Sequence, residues 1–249
     1  MFRQNLDASP VNWLEIAIAI SAVLVGSVVQ GAVGFGLALV SAPVLILIDP
    51  RFIPAPLLLA SLSLILLTAY RDRQGIDLSG LRWALIGRFA GTGVGIIALT
   101  LISGSHLTLT FGVIVLASVG LSASGLHLRP SPMTLIGAGT ISGFMGTTSS
   151  IGGPPMALLY QHESGVRLRG TLAGFFVVGV SISLVSLALI GRLGQEELKL
   201  ALILQPGILI GFSASSRAIE WLDGSHTRSA VLTVATVMAC VVILNELYN

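Results

Sequence analysis

Long unbroken apolar runs alternate with short polar stretches along the whole chain. Eight runs, at 13–30, 52–70, 81–102, 107–126, 133–145, 172–190, 198–213 and 228–247, predict membrane-spanning helices, because about 20 apolar residues carry an α-helix across the hydrocarbon core. Two shorter pieces, 37–48 and 154–160, follow the first and fifth runs after glycine-rich breaks and are too short to cross as straight helices. Barrel strands would alternate apolar and polar positions over segments of about 10 residues. The stretches VIVLASVGL (113–121) and ISLVSLALI (182–190) do not alternate. The predicted fold is therefore an all-α integral membrane protein.

Composition strengthens this reading. Only 10% of the 249 residues are charged and 54% are hydrophobic, against about 25% charged in soluble domains. The lipid bilayer is the expected solvent. Trp13, Tyr70, Trp83, Tyr160, Trp221 and Tyr248 fall at or near predicted helix ends, where amphipathic rings gather at the headgroup level. The net charge of +2 and the absence of a basic surface pattern argue against a nucleic-acid partner. Cys240, the single cysteine, lies in the last run and forms no internal disulfide. The polar start, MFRQNLDASPVNW, lacks the basic-then-apolar order of a cleaved leader, so the first run is read as a retained span.

The basic residues suggest an orientation. Arg71, Arg73, Arg82, Arg129, Arg167, Arg169, Arg217 and Arg228 cluster in four loops, whereas Arg3, Arg51, Arg192 and Lys199 fall in the others. Placing the first group in the cytoplasm satisfies the positive-inside rule. Residues 133–160 must then enter and leave on one side, as must 13–48, as re-entrant hairpins or paired spans. Both termini are expected outside the cytoplasm.

The two broken segments resemble each other. Gly31-Ala-Val-Gly34-Phe35-Gly36 aligns with Gly143-Phe-Met-Gly146-Thr147-Thr148 at an offset of 112, which also superposes Pro43 on Pro155. Gly104-Ser105-His106 repeats as Gly224-Ser225-His226 at an offset of 120. A duplication follows, with residues 1–126 as the first transmembrane repeat and 127–249 as the second. One even hairpin plus three spans makes each half odd, so tandem halves lie in inverted orientation. Secondary transporters with this symmetry place their sites at broken helices near the midplane.

The candidate chemistry sits at the breaks. Gly34, Phe35 and Gly36 form the first; Thr147, Thr148, Ser149, Ser150, Gly152 and Gly153 the second, before Pro154 and Pro155. Glycines let the backbone turn and approach a ligand. A helix starting at such a break directs unpaired N–H groups and a positive dipole end into the gap, which favours an anion. The hydroxyls either add donors or bond back to their own helix. Gly26, Gly91 and Gly95 fit close helix packing instead. Arg88 lies inside the third run, where a charge costs about 2.5 kcal/mol or more unless paired or hydrated. It is either an anion-coordinating cation or an arginine snorkelling to the headgroups. Gln205 is either a substrate contact or an interhelical hydrogen bond. Glu15 reads as structural at an interface, and His106 and His226 as capping or loop residues. No carboxylate sits mid-span, and no ligand cluster suggests a metal or cofactor.

Gly31-x-x-Gly34-Phe35-Gly36 with Pro43, and Gly143-x-x-Gly146 with Ile151-Gly152-Gly153-Pro154-Pro155, resemble the paired signatures of the sulfite exporter TauE/SafE family. The resemblance covers nearly the whole chain. It implies movement of sulfite, sulfonates or related organosulfur anions across the bacterial cell (inner) membrane, without an enzymatic activity. A secondary transporter working by alternating access is expected, with a passive anion channel and a carrier for a small carboxylate as alternatives. An embedded enzyme or scaffold would need a nucleophile, a metal cluster or a soluble domain, and the loops are too short to hold one. A homo-oligomer remains compatible with the sequence.

Overall fold

The computed structural model describes residues 12–101, 105–124 and 128–222, and among these every regular element is helical. In chain order they are α1 (Trp13–Val33), α2 (Leu37–Ile48), α3 (Ala55–Arg71), α4 (Leu78–Leu101), α5 (Ser105–Ala123), α6 (Pro132–Ser149), α7 (Gly153–Tyr160), α8 (Gly165–Leu189) and α9 (Gln195–Leu222). α1, α4, α8 and α9 are long and apolar enough to cross a bilayer unaided. The predicted run 228–247 with Cys240, and the residues Gly104 and Gly224–His226 of the second repeat match, lie outside the described residues.

The burial pattern suits a lipid solvent. Phe89, Val94, Ile97 and Leu101 on α4, and Val185 and Leu189 on α8, stand exposed on the outside. So much contiguous apolar surface has no place in water. The interior, by contrast, holds Arg88, Thr92, Ser142, Thr147 and Ser183. Polar groups gather between helices, where they find partners, and avoid the surface, where lipid offers none. Trp13 and Tyr70 are exposed at helix ends as expected. Tyr160 departs from that expectation. It is 1% exposed, and its hydroxyl donates to Asp77 Oδ2 at 3.1 Å, tying the end of α7 to the start of α4.

Two helix pairs dominate the packing, and in both the backbones touch. Added Cβ atoms at Gly87, Gly91 and Gly95 on α4 would run into Ile136, Thr140 and Phe144 on α6, in ascending order on both helices. The pair is therefore parallel. On α9, Gly207 and Gly211 abut Ile20 and Leu24 of α1, while Gly31 of α1 abuts Ser215 of α9, again in ascending order. Small residues let helices approach closely where no hydrophobic effect drives them together. The packing role expected of Gly91 and Gly95 holds here, and Gly26 packs in the same way against Leu37.

These contacts fix how the broken segments run. α6 starts beside the first turns of α4, and α7 ends at Asp77, so the α6/α7 hairpin enters and returns at the start of α4. α1 starts beside the early part of α9, and the turn after α2 packs against α9 with Arg51 near Glu196. Arg192, just before α9, donates to the carbonyl of Leu99 near the end of α4 at 2.7 Å. The two hairpins thus enter from opposite ends of the bundle.

Both breaks fall within the segments that the sequence pattern marks, but α1 and α6 run about one turn further into them than the apolar runs predict. α1 continues through Gly31 to Val33, and Gly34 then closes it in the left-handed conformation (φ 100°), its N–H donating to Gln30 O at 2.7 Å. α6 continues through Gly146 and the hydroxyl-bearing residues to Ser149, and Ser150 closes it at φ 65°. The two left-handed caps are 116 residues apart, one helical turn from the offset of 112 that best aligns the glycines.

Candidate functional site

The breaks meet around one cavity. At the first, Gly34 (φ 100°) and Gly36 (φ 126°) flank Phe35. Both dihedrals lie where a Cβ is strained, and a side chain at Gly34 would also press on the backbone of Arg169. At the second, Ser150 adopts left-handed geometry without being glycine and donates its hydroxyl to Pro54 O at 3.0 Å. The breaks touch each other, since a Cβ on Gly153 would lie 2.8 Å from that of Phe35. Between them is a cavity of about 40 Å³, room for about three waters or one small polyatomic anion. Leu57, Leu58, Ser61 and Phe176 contribute to its walls.

Among the described residues, Arg88 is the only charged one in that lining. It sits ten residues into α4, about 15 Å from its start, and is 1% exposed. It does not snorkel. Nη1 donates to the carbonyl of Ser142 at 2.7 Å and to its hydroxyl at 3.2 Å, while Nη2 donates to Gly179 O at 3.2 Å and Ser183 Oγ at 3.0 Å. The ring of Phe175 lies 5.7 Å from its guanidinium carbon. Ser142 in turn donates to Gly152 O, so the guanidinium also steadies the second break. Nε has no partner, and no carboxylate pairs with Arg88 among the described residues. A buried cation is costly unless an opposite charge reaches it. The cavity is an open volume that Arg88 lines.

The structure brings together only some of the residues singled out from the sequence. Phe35, Gly36, Arg88, Ser150, Gly152 and Gly153 line the cavity; Gly34, Thr147, Thr148, Ser149 and Gln205 do not. Thr148 and Ser149 donate back to Phe144 O and Met145 O of their own helix, at 2.8 and 2.7 Å. Thr147 shares hydrogen bonds with Thr92 and Ser183, one shell behind Arg88. Gln205 accepts from Ser63 Oγ at 2.9 Å and links α9 to α3. Gln30 and Ser61 line the cavity and were not singled out. The signal for Gln30 was an amide in the turn before the glycine break.

A second buried polar cluster closes one end of the first break. Asp72 accepts from Arg71 and from Arg169, with oxygen–nitrogen distances of 2.9 and 3.2 Å. The same arginines donate to Gly31 O and Ala32 O at the end of α1. Cations at the C-terminal end of a helix complement its dipole. Near the same end, Asp77 sits just before α4. Burial acts to raise its pKa, but hydrogen bonds from Ser79, Gly80 and Tyr160 and the charge of Arg167 outweigh burial and hold it below the usual carboxylate value.

Residues 18–242 match the family described as sulfite exporter TauE/SafE. The chain belongs to the sulfite exporter TauE/SafE family. No curated protein and no solved structure matches it. TauE/SafE membership and the apolar helices together make this a multi-pass membrane protein of a transporter family. In this TauE/SafE chain the matched region spans both breaks, the whole cavity lining and Arg88.

Proposed function

We propose that the chain is a secondary transporter for a small sulfur oxyanion, such as sulfite or a sulfonate, bound in the cavity between the breaks. The observation that carries this reading is Arg88: a fully buried cation without a carboxylate partner among the described residues, facing a cavity between two interrupted helices. Ser150 supports it, because a non-glycine residue kept in a left-handed conformation costs about 1–3 kcal/mol and such strain collects at functional sites. The family's name supplies the sulfur chemistry.

In this reading residues 1–126 and 127–249 are inverted repeats, and access alternates as the α1–α9 pair moves against the α4–α6 pair. The opposed entry of the hairpins supports the symmetry, as does the exchange of partners between halves. The end rich in arginine (Arg71, Arg73, Arg82, Arg167, Arg169) faces the cytoplasm of a bacterial cell and both termini face outward.

The test uses detergent-purified protein in a thermal-shift panel of sulfite, thiosulfate, methanesulfonate, sulfate and acetate, followed by counterflow in proteoliposomes. Sulfur oxyanions should stabilise the protein and preloaded sulfite should drive saturable exchange. Stabilisation by acetate alone would identify a carboxylate carrier, and non-saturating flux without counterflow would identify a channel; either result overturns the proposal.

A further inference from the structure

Gln30 occupies the last turn of α1, is 9% exposed, and lines the cavity opposite the second break. Its Oε1 accepts from the backbone N–H of Leu37, the first residue of α2, at 3.2 Å. That contact settles which end of the amide is which. A backbone N–H can only donate, so the atom facing Leu37 must be the oxygen, and the NH2 must turn the other way. The NH2 makes no hydrogen bond in the structure, and it is not among the sealed-in polar atoms that lack a partner, Ser27 Oγ, Thr68 Oγ1 and Arg88 Nε. It therefore retains open space, and for a residue this buried that space is the cavity it lines.

Two further N–H groups belong to residues of the same lining. Ala38 and Leu39 follow Leu37 in the first turn of α2 and both line the cavity. N–H groups in a first helical turn have no acceptor within the helix. α7 differs, because it opens Gly153-Pro154-Pro155, and proline has no N–H to give. The two sides are thus unlike: the charge of Arg88 lies beside the second break, and the first break has neutral N–H donors.

We propose that Gln30 is a substrate-selecting residue whose side-chain NH2, with the amides of Ala38 and Leu39, binds one oxygen of an SO3-type head group while Arg88 faces the others. The proposal rests on the reading of this cavity as an anion site. Its chemical content is selectivity. A pyramidal head with three acceptor oxygens can meet the donors on both sides at once, whereas a planar carboxylate with two oxygens leaves one set unmet. A site built to hydrogen-bond a group discriminates against ligands that lack it, because its buried donors stay unpaired.

The experiment measures binding of methanesulfonate and acetate to the purified full-length protein, Gln30→Leu and Gln30→Glu. The unmodified protein should prefer methanesulfonate. Gln30→Leu should weaken methanesulfonate by about tenfold or more while changing acetate little, so that the preference collapses. Gln30→Glu keeps an acceptor for Leu37 but puts a negative oxygen into the cavity, and should abolish binding of both. Unchanged preference in Gln30→Leu overturns the role of Gln30 and leaves the anion site standing. If Gln30→Leu fails to fold, methanesulfonate binding retained by Gln30→Glu overturns it instead. Failure of the unmodified protein to bind either anion overturns the site itself, and the role of Gln30 with it.

Discussion

A guanidinium can hold two helices apart at a fixed distance in a way an ammonium cannot. Arg88 reaches α6 through Nη1 and α8 through Nη2, from a single planar group. Lysine at this position keeps the charge but lacks the fork, so it cannot bridge Ser142 and Gly179 from one planar group. Each hydrogen bond from a charged donor lost in this way costs about 1.5–3 kcal/mol. Arg88→Lys is expected to lower the detergent-phase unfolding temperature and to abolish sulfite exchange; full exchange in this variant would show that charge alone suffices. Arg88 was legible in the sequence because a charge in an apolar run demands an explanation. The hydroxyls of Thr148 and Ser149 were open to two readings, because inside a helix they can satisfy themselves on the preceding turn, and here they do. Gln30 is conspicuous only once Leu37 is seen across the break, a contact between residues seven apart that no periodicity reports.

Among the elements, the α4–α6 seam is the least forgiving. A Cβ at Gly91 would overlap the carbonyl of Thr140, which is backbone and cannot rotate away. Gly91→Ala is expected to destabilise the protein by about 3 kcal/mol, at the upper end of what overpacking costs. Gly93, two residues on, has nothing within 4 Å of an added Cβ. Gly93→Ala should be neutral or slightly stabilising, since alanine is the better helix former by about 1 kcal/mol. Thermal unfolding of the two variants side by side checks both, and equal losses would deny the seam. Glycine spacing revealed these surfaces but not their partners. The breaks were legible as interruptions, yet the helices before them were read about a turn short, because glycine alone does not end a helix that its neighbours continue to support. What ended α1 was the left-handed turn at Gly34, and what ended α6 was Ser150, which no glycine pattern marks.

For the molecule as a whole, orientation is the property most open to a direct test. In a Cys240→Ala background, single cysteines replacing the exposed residues Gln74 and Gly194 lie at opposite ends of the bundle. A membrane-impermeant maleimide added to intact cells should label the cysteine at 194 and not the one at 74 if the proposed orientation, with the arginine-rich end in the cytoplasm, is right. The reverse pattern would invert the topology. Among the described residues the helices and their membrane character were plain from the apolar runs, but the pairing of helices was not, since it depends on contacts between distant parts of the chain. That pairing has a consequence for synthesis. Chains fold as they emerge, N-terminal part first, and α1 leaves the ribosome long before α9, the helix whose backbone it touches. The first hairpin must wait in the lipid, with Gln30 and its glycine turn unsheathed, until α9 has been made. Distant partners of this kind slow assembly, so α1, made before the other helices described, is among the last of them to find its place.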